Sequence, residues 1–249
     1  MDGSLILQHD VIGDVEVPRL MLGTSPFIGA GQFGLRSMEY YLRFTMNPEN
    51  VTKLIVEAAE MGITWVQALG YEFIGKAVEE ARNITKIDIQ VIGSIGPHNF
   101  DSQFDLMKRL GARIILTHAV VTDRLDKHFE KCIDRINDVS IAGAVTHLPG
   151  KIIPQLSGYD KVKIIMASVN KIGKFMSPTP KESLDAIKNT DKVVIGKKTL
   201  AAGVLKPREA LEYTSNFVYG ATIGIASSEE LRETFGVAKE IWKPQPRSL

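Results

Sequence analysis

The sequence predicts a single (β/α)8 barrel, and three observations carry that expectation. Apolar, often β-branched runs occur eight times: LMLG at 20–23, ITWVQAL at 63–69, IQVIGSIG at 89–96, RIILTHA at 113–119, VSIAGAV at 139–145, VKIIMASV at 162–169, KVVIG at 192–196 and ATIGIA at 221–226. The runs are continuous rather than alternating, as parallel strands covered on both faces require. Segments of helical period separate them, and 249 residues is the usual length of one such barrel.

The intervening helices show themselves as stripes and caps. Val51, Leu54, Ile55 and Ala58 form one stripe, and Phe104, Met107 and Leu110 form another. Leu184 with Ile187, and Leu231 with Phe235, repeat the pattern. Asp101, Thr179-Pro180 and Ser227-Ser228-Glu229-Glu230 read as N-caps with acidic first turns. Gly62 and Gly111 stand just past helix ends, where a left-handed residue is usual. Two stretches interrupt the repeat. Residues 4–19 read as a β-hairpin turning near Gly13-Asp14, and 24–48 form a long first loop, either a lid over the barrel mouth or a surface excursion. No internal linker appears, so residues 1–249 are expected to be one domain, with the tail KPQPRSL frayed.

Composition narrows the class of partner. Forty-four per cent hydrophobic and 24% charged residues allow a large core. Thirty basic against 29 acidic residues leave a net charge of +1, with no bulk attraction to nucleic acid or anionic lipid. Cys132 is the sole cysteine, which excludes an intrachain disulfide and a cysteine-only metal site. The start of the chain has no basic segment before its short apolar run, unlike a signal peptide, and no apolar stretch approaches the ~20 residues needed to cross a bilayer. A cytoplasmic location is expected.

In this architecture chemistry sits at the C-terminal ends of the strands. There the sequence places Gln67, Tyr71, Ser94, His98, His118, His147, Asn170, Lys197 and Lys198, and His118, His147, Asn170 and Lys197 are expected to converge. A shared pocket for His118 and His147 follows from their matching places on adjacent strands. Either imidazole would serve as acid or base. Lys197 and Lys198 should point in opposite directions on a strand, and the inward one would be an anion anchor, an electrostatic stabiliser or an imine-forming amine. His98, His118 and His147 would offer three imidazoles to zinc, but no metal-ligand spacing supports this and no acidic residue stands at a strand end. His9 and His128 read as surface residues. Gly203 in the loop after the seventh run, with Ser227 and Ser228 opening the last helix and Lys197 nearby, predicts a phosphate site, provided Glu229 and Glu230 point outward.

Several of these stretches resemble the aldo/keto reductases. VPRLMLGTSPFIG is similar to that family's first strand, MGITWVQALGYEFIGKAVEEAR to its second βα unit, and RIILTHA to the strand that delivers its active-site histidine. SIAGAVTH resembles the strand ending in its nicotinamide-contacting Ser-Asn pair, and VVIGKKTLAAGVLKPREALEY with ATIGIASSEELRE resembles its cofactor-phosphate end. The resemblance spans nearly the whole chain. It implies a barrel opened by an N-terminal hairpin and an NADP(H)-dependent oxidoreductase, with His118 orienting a carbonyl and Tyr71 supplying a proton. Thr146, Asn170, Lys198, Gly203, Ser227 and Ser228 would contact the cofactor. The family's catalytic Asp, Tyr, Lys and His are incomplete here: Gln67 stands for Asp, Tyr71 lies one residue early, Ser94 or a nearby glycine stands for Lys, and only His118 transfers directly. The Ser-Asn pair has become Thr146-His147, and the terminal adenine-contacting Asn has no match near Arg232 to Thr234. The sequence therefore also predicts two alternatives. One is a lyase, isomerase or hydrolase acting on a phosphorylated or anionic small molecule through His118, His147 and Lys197; the other is a non-catalytic binding protein.

Overall fold

A computed structural model describes residues 10–242, with the side chain of Asp10 left out. The antiparallel pair β1 (Asp10–Ile12) and β2 (Val15–Val17) turns at Gly13-Asp14. Positions 4–9 of the expected hairpin, His9 and the tail 243–249 lie outside the described residues. Eight parallel strands then close into a barrel: β3 (Leu20–Gly23), β4 (Trp65–Leu69), β5 (Gln90–Ile95), β6 (Ile114–Thr117), β7 (Ile141–Val145), β8 (Ile164–Ser168), β9 (Val193–Lys197) and β10 (Gly220–Gly224). Neighbours in sequence are neighbours in the ring, and β10 closes on β3. This is the expected (β/α)8 barrel with an N-terminal hairpin.

Ten helices connect the strands: α1 (Arg36–Tyr40), α2 (Glu49–Glu60), α3 (Glu72–Thr85), α4 (Phe100–Arg109), α5 (Ala119–Thr122), α6 (Lys127–Asn137), α7 (Pro149–Leu156), α8 (Pro180–Asn189), α9 (Pro207–Ser215) and α10 (Ser228–Ile241) among the described residues. Each longer helix buries the stripe its sequence carries, as Val51, Leu54, Ile55 and Ala58 do on α2. Thr179 and Ser227 cap α8 and α10 by accepting the amides of Glu182 and Glu230. Gly62 and Gly111 take the left-handed conformation, with φ of +82° and +69°. One cap differs from expectation. Asn99, at φ +53°, precedes α4, and Asp101 lies inside its first turn, paired with Arg135.

The barrel interior follows from strand alternation. Met21, Trp65, Ile92, Ile114, Leu116, Ile164, Met166 and Ile195 form one buried cluster, which Val15 and Val17 of the hairpin join. Gly143 is the small residue that lets this layer close, since a Cβ there would stand 2.3 Å from Leu116 Cδ2 and 2.7 Å from the Ile164 carbonyl oxygen. The segment after β3 is not a free excursion. Phe27 and Phe44 are buried with ring centroids 4.9 Å apart, and Thr45 donates to the Phe27 carbonyl. Arg36 and Arg43 donate to the carbonyls of Ala202 and Ala226 beyond β9 and β10. This segment therefore forms a wall at the C-terminal end of the barrel.

The crowding at Gly143 sets the first prediction. Gly143→Ala should lower stability by about 1–3 kcal/mol, the usual cost of overpacking. Gly158→Ala, where the nearest atom to an added Cβ is 3.7 Å away, should stay within ~0.5 kcal/mol. Urea midpoints of the two variants check this; equal midpoints would mean that the layer around Gly143 yields.

Candidate active site

At the C-terminal mouth lies a cavity of about 570 Å³. Gln67, Ser94, His118, His147, Lys197 and Thr222 bring the polar groups of its floor from the strand ends. The first loop walls one side through Phe33, Arg36 and Tyr40, and the loop after β9 walls another through Lys198, Gly203 and Lys206. The oxygens Ser94 Oγ and Thr222 Oγ1 are buried without a hydrogen-bond partner among the described residues.

His118 ends β6 and caps α5, and its Nδ1 accepts the Val120 amide at 3.3 Å. An accepting Nδ1 assigns the proton of the neutral ring to Nε2. His147 follows β7, and the two rings stand nearly perpendicular with centroids 5.7 Å apart. Both face the cavity, so the expected shared pocket is what the geometry provides. Burial first, then Lys197 and Lys198, lower the His118 pKa to about 4. The same causes, with His118 added, lower that of His147 to about 3. Both rings are neutral at neutral pH.

Lys197 is the last residue of β9 and points inward, 9% exposed. Its ammonium is held well below the usual lysine range by burial and by Lys198, against the attraction of Asp123. Lys198 departs from the expected alternation. The strand stops at Lys197, Lys198 takes a left-handed φ of +56°, and both lysines line the mouth. The Lys198 ammonium sits 4.1 Å from the centroid of the Phe175 ring.

No strand end carries an acid, as expected, but a helix brings one to this end of the barrel. Asp123 follows the short α5, accepts Thr146 Oγ1 at 2.6 Å and receives the His147 amide at 3.1 Å. Burial raises its pKa, while those two hydrogen bonds lower it. The strand pattern missed it because a four-residue helix carries it back over β7. Arg36 and Lys206 were missed for a similar reason: both belong to loops whose path no periodicity records.

Other expected residues lie elsewhere. Tyr71 is 48% exposed at the start of α3, with its ring against Phe73 and outside the cavity lining, because the chain turns at Gly70 directly into the helix. Asn170 is fully buried, but its side chain donates to the carbonyls of Lys174 and Lys198 and accepts the Lys174 amide. It braces the loop after β8 and does not line the cavity. Thr146 spends its hydroxyl on Asp123 and the Leu148 amide. His98 and His128 are exposed, and His98 does not reach the two other imidazoles.

The predicted phosphate site is not assembled. Ser227 accepts the Glu230 amide and Ser228 donates to Glu57 at 2.9 Å, so both hydroxyls are engaged outside the main cavity. Glu230 lines the cavity instead of pointing outward and accepts the Ala226 amide at 2.9 Å. The Ser227-x-x-Glu230 spacing is that of a capping box, a signal present in the sequence that places a carboxylate on the helix N-terminus. Gly203, at φ +81°, gives its close approach to Arg36, whose Nη2 would lie 2.6 Å from a Cβ.

Solved structures carry the same barrel. A Pseudomonas aeruginosa protein assigned as an aldo-keto reductase is 16% identical, matching 96% of this chain and 98% of its own with a TM-score of 0.69. An aldo/keto reductase from Brucella melitensis is 12% identical over 93% of each chain, with a TM-score of 0.65. By fold, the chain is aldo-keto reductase-like. Thiamine phosphate pyrophosphorylase from Pyrococcus furiosus is also similar, at 15% identity, 76% of this chain, 90% of its own and a TM-score of 0.51. No protein-family model and no curated protein matches the sequence. At these identities the likeness concerns the barrel, and function rests on the site.

Neutral imidazoles predict a pH dependence. A histidine whose folded pKa is depressed contributes stability above its unfolded value of about 6.5, lost as pH falls through the folded value. The Cε1–H resonances of His118 and His147 should therefore keep neutral shifts down to about pH 5. Stability should decline from about pH 6.5 towards 4, less steeply in His118→Asn. Midpoints near 6.5 for both rings would show that the mouth is fully hydrated.

Proposed function

We propose that the protein is an enzyme that moves protons on a small anionic molecule, as a lyase or isomerase does, through His118 and His147. The observation that carries this reading is the pair of neutral imidazoles in ring contact on one cavity wall beside Lys197. A neutral imidazole takes a proton from substrate, and the ring beside it passes one on or returns one. The bonds from Thr146 and the His147 amide to Asp123 hold the second ring's backbone in place. Arg36, Lys198 and Lys206 outnumber Glu230 and Glu233 on the lining, which favours an anionic ligand. An anion seated beside Lys198 would also offset the burial that lowers its pKa.

A second reading, an NADP(H)-dependent oxidoreductase, draws on the shared barrel and on His118. Its donor set does not fit. Thr146, Asn170, Ser227 and Ser228 are all engaged within the protein. The Glu230 carboxylate accepts the Ala226 amide and lines the cavity beside the start of the helix, where its charge opposes a cofactor phosphate. With Gln67 and Ser94 in the floor and Tyr71 outside it, the acid, lysine and tyrosine of that family's catalytic set are not assembled at the cavity.

Deuterium wash-in separates the two readings. In D₂O the protein should catalyse hydrogen exchange at carbon in at least one member of a panel of 2-oxo acids, hydroxy acids and sugar phosphates, followed by proton NMR. His118→Asn should slow that exchange by about 10²- to 10⁴-fold. Aldehyde reduction with NADPH should stay below the ordinary range of about 1 s⁻¹. Rapid aldehyde reduction with saturable NADPH binding, and no exchange, would replace this reading with the oxidoreductase.

A further inference from the structure

Resting on the proton-transfer reading, we propose that Lys197 is a nucleophile that takes a small anionic carbonyl compound, an oxo acid or a phosphorylated aldehyde or ketone, as an imine. Three observations carry the inference. First, the Lys197 side chain is almost completely buried yet belongs to the cavity lining, so its amine meets only what enters the mouth. Second, it makes no hydrogen bond or ion pair among the described residues, and the carboxylate whose charge favours its ammonium, Asp123, makes its hydrogen bonds to Thr146 and the His147 amide instead. A buried ammonium without a carboxylate partner is costly, whereas a buried free amine is not. Third, the adjacent Lys198, left-handed in its backbone, sets its ammonium against the Phe175 ring, so Lys197 is the buried amine of the pair and Lys198 the cation beside it.

Burial and the neighbouring Lys198 keep the Lys197 amine deprotonated far more readily than a surface lysine, the condition for attack at neutral pH. The nitrogen lone pair forms the C–N bond to the carbonyl carbon, and the carbonyl π pair moves onto oxygen. One N–H proton passes through an imidazole to that oxygen, giving the carbinolamine. The nitrogen pair then expels the hydroxyl, which receives the remaining N–H proton through the imidazoles and leaves as water. Amine plus carbonyl gives imine plus water, with no oxidant or reductant consumed. His118 and His147, within one cavity with the amine, are the groups that carry both protons. Arg36 and Lys206 at the rim suit the anionic group. An imine so placed acidifies the neighbouring C–H bond, which gives the two imidazoles a proton to move.

Borohydride trapping tests this on the full chain at pH 7. The protein is incubated with pyruvate, or with dihydroxyacetone phosphate, and sodium borohydride, which supplies the hydride that converts imine to secondary amine. Intact and peptide mass spectrometry then locate the adduct. Lys197 should be labelled at least tenfold faster than any exposed lysine. The adduct should disappear in Lys197→Arg and Lys197→Met but persist in Lys198→Arg, with circular dichroism and melting curves confirming that each variant is folded. Uniform labelling of surface lysines, unchanged in folded Lys197→Met, would overturn the inference. Deuterium wash-in without trapping would overturn the imine alone and leave Lys197 as an anion anchor. Trapping at Lys197 without wash-in would support the imine and overturn the proton-transfer reading instead.

Discussion

In a closed ring of eight parallel strands, every second side chain points into an interior of fixed width, and each must be accommodated by its neighbours in the layer. Here the lower interior is filled by Met21, Trp65, Ile92, Ile114, Leu116, Ile164 and Ile195, with Val15 and Val17 of the hairpin beneath them. Gly143 relieves the crowding beside Leu116 and Ile164. Because those layers are full and apolar, a polar inward side chain is tolerated only where the barrel opens. Gln67, Ser94, Lys197 and Thr222 all sit there, and each belongs to the cavity lining.

That placement governs the electrostatics. The floor of the mouth is backed by dry core, so charge on an imidazole or amine is poorly solvated and the neutral forms prevail. His118, His147, Lys197 and Lys198 reinforce one another, since a proton on any of them disfavours a proton on the rest. Asp123 opposes this for Lys197 without reversing it, and its carboxylate accepts Thr146 and the His147 amide. The result is a pair of neutral imidazoles and a buried amine whose ammonium form is disfavoured, beside the Lys198 cation, a state suited to taking protons and to nucleophilic attack. The wall formed by the first loop, tied by Arg36 and Arg43 to the carbonyls of Ala202 and Ala226, encloses the cluster and places a permanent cation at its rim.

The resemblance to reductases divides along the same line. Stretches such as RIILTHA and SIAGAV are barrel strands, and their likeness reflects what any such strand must pack. The positions that would make a reductase depend on direction rather than on place in the chain. Tyr71 stands close to the expected number and still faces solvent, because β4 ends at Leu69 and Gly70 turns the chain into α3. Asn170 stands at a strand end and is drawn into its own loop by Lys174 and Lys198. Ser227 and Ser228 open a helix at the predicted place, but Ser227 caps the Glu230 amide, Ser228 donates to Glu57, and the Glu230 carboxylate accepts the Ala226 amide.

Periodicity and spacing were enough to determine the eight strands, their order, most of the helices and the histidine pair at the mouth. Each of these follows from local alternation of apolar and polar residues and from the right-handed βα repeat, both of which are written into short windows. Tertiary structure alone decided which groups meet inside the cavity. Asp123 reaches His147 from another βα unit across 24 residues, Arg36 reaches Ala202 across 166, and Lys197 is left without a hydrogen-bond partner among the described residues. No window of sequence contains such pairings, since they depend on loop paths and on which hydrogen bonds a side chain makes first. The reactivity inferred for Lys197 rests on such a placement: its position on the strand was legible from the chain, whereas its isolation in a dry, basic mouth emerges only when the barrel closes.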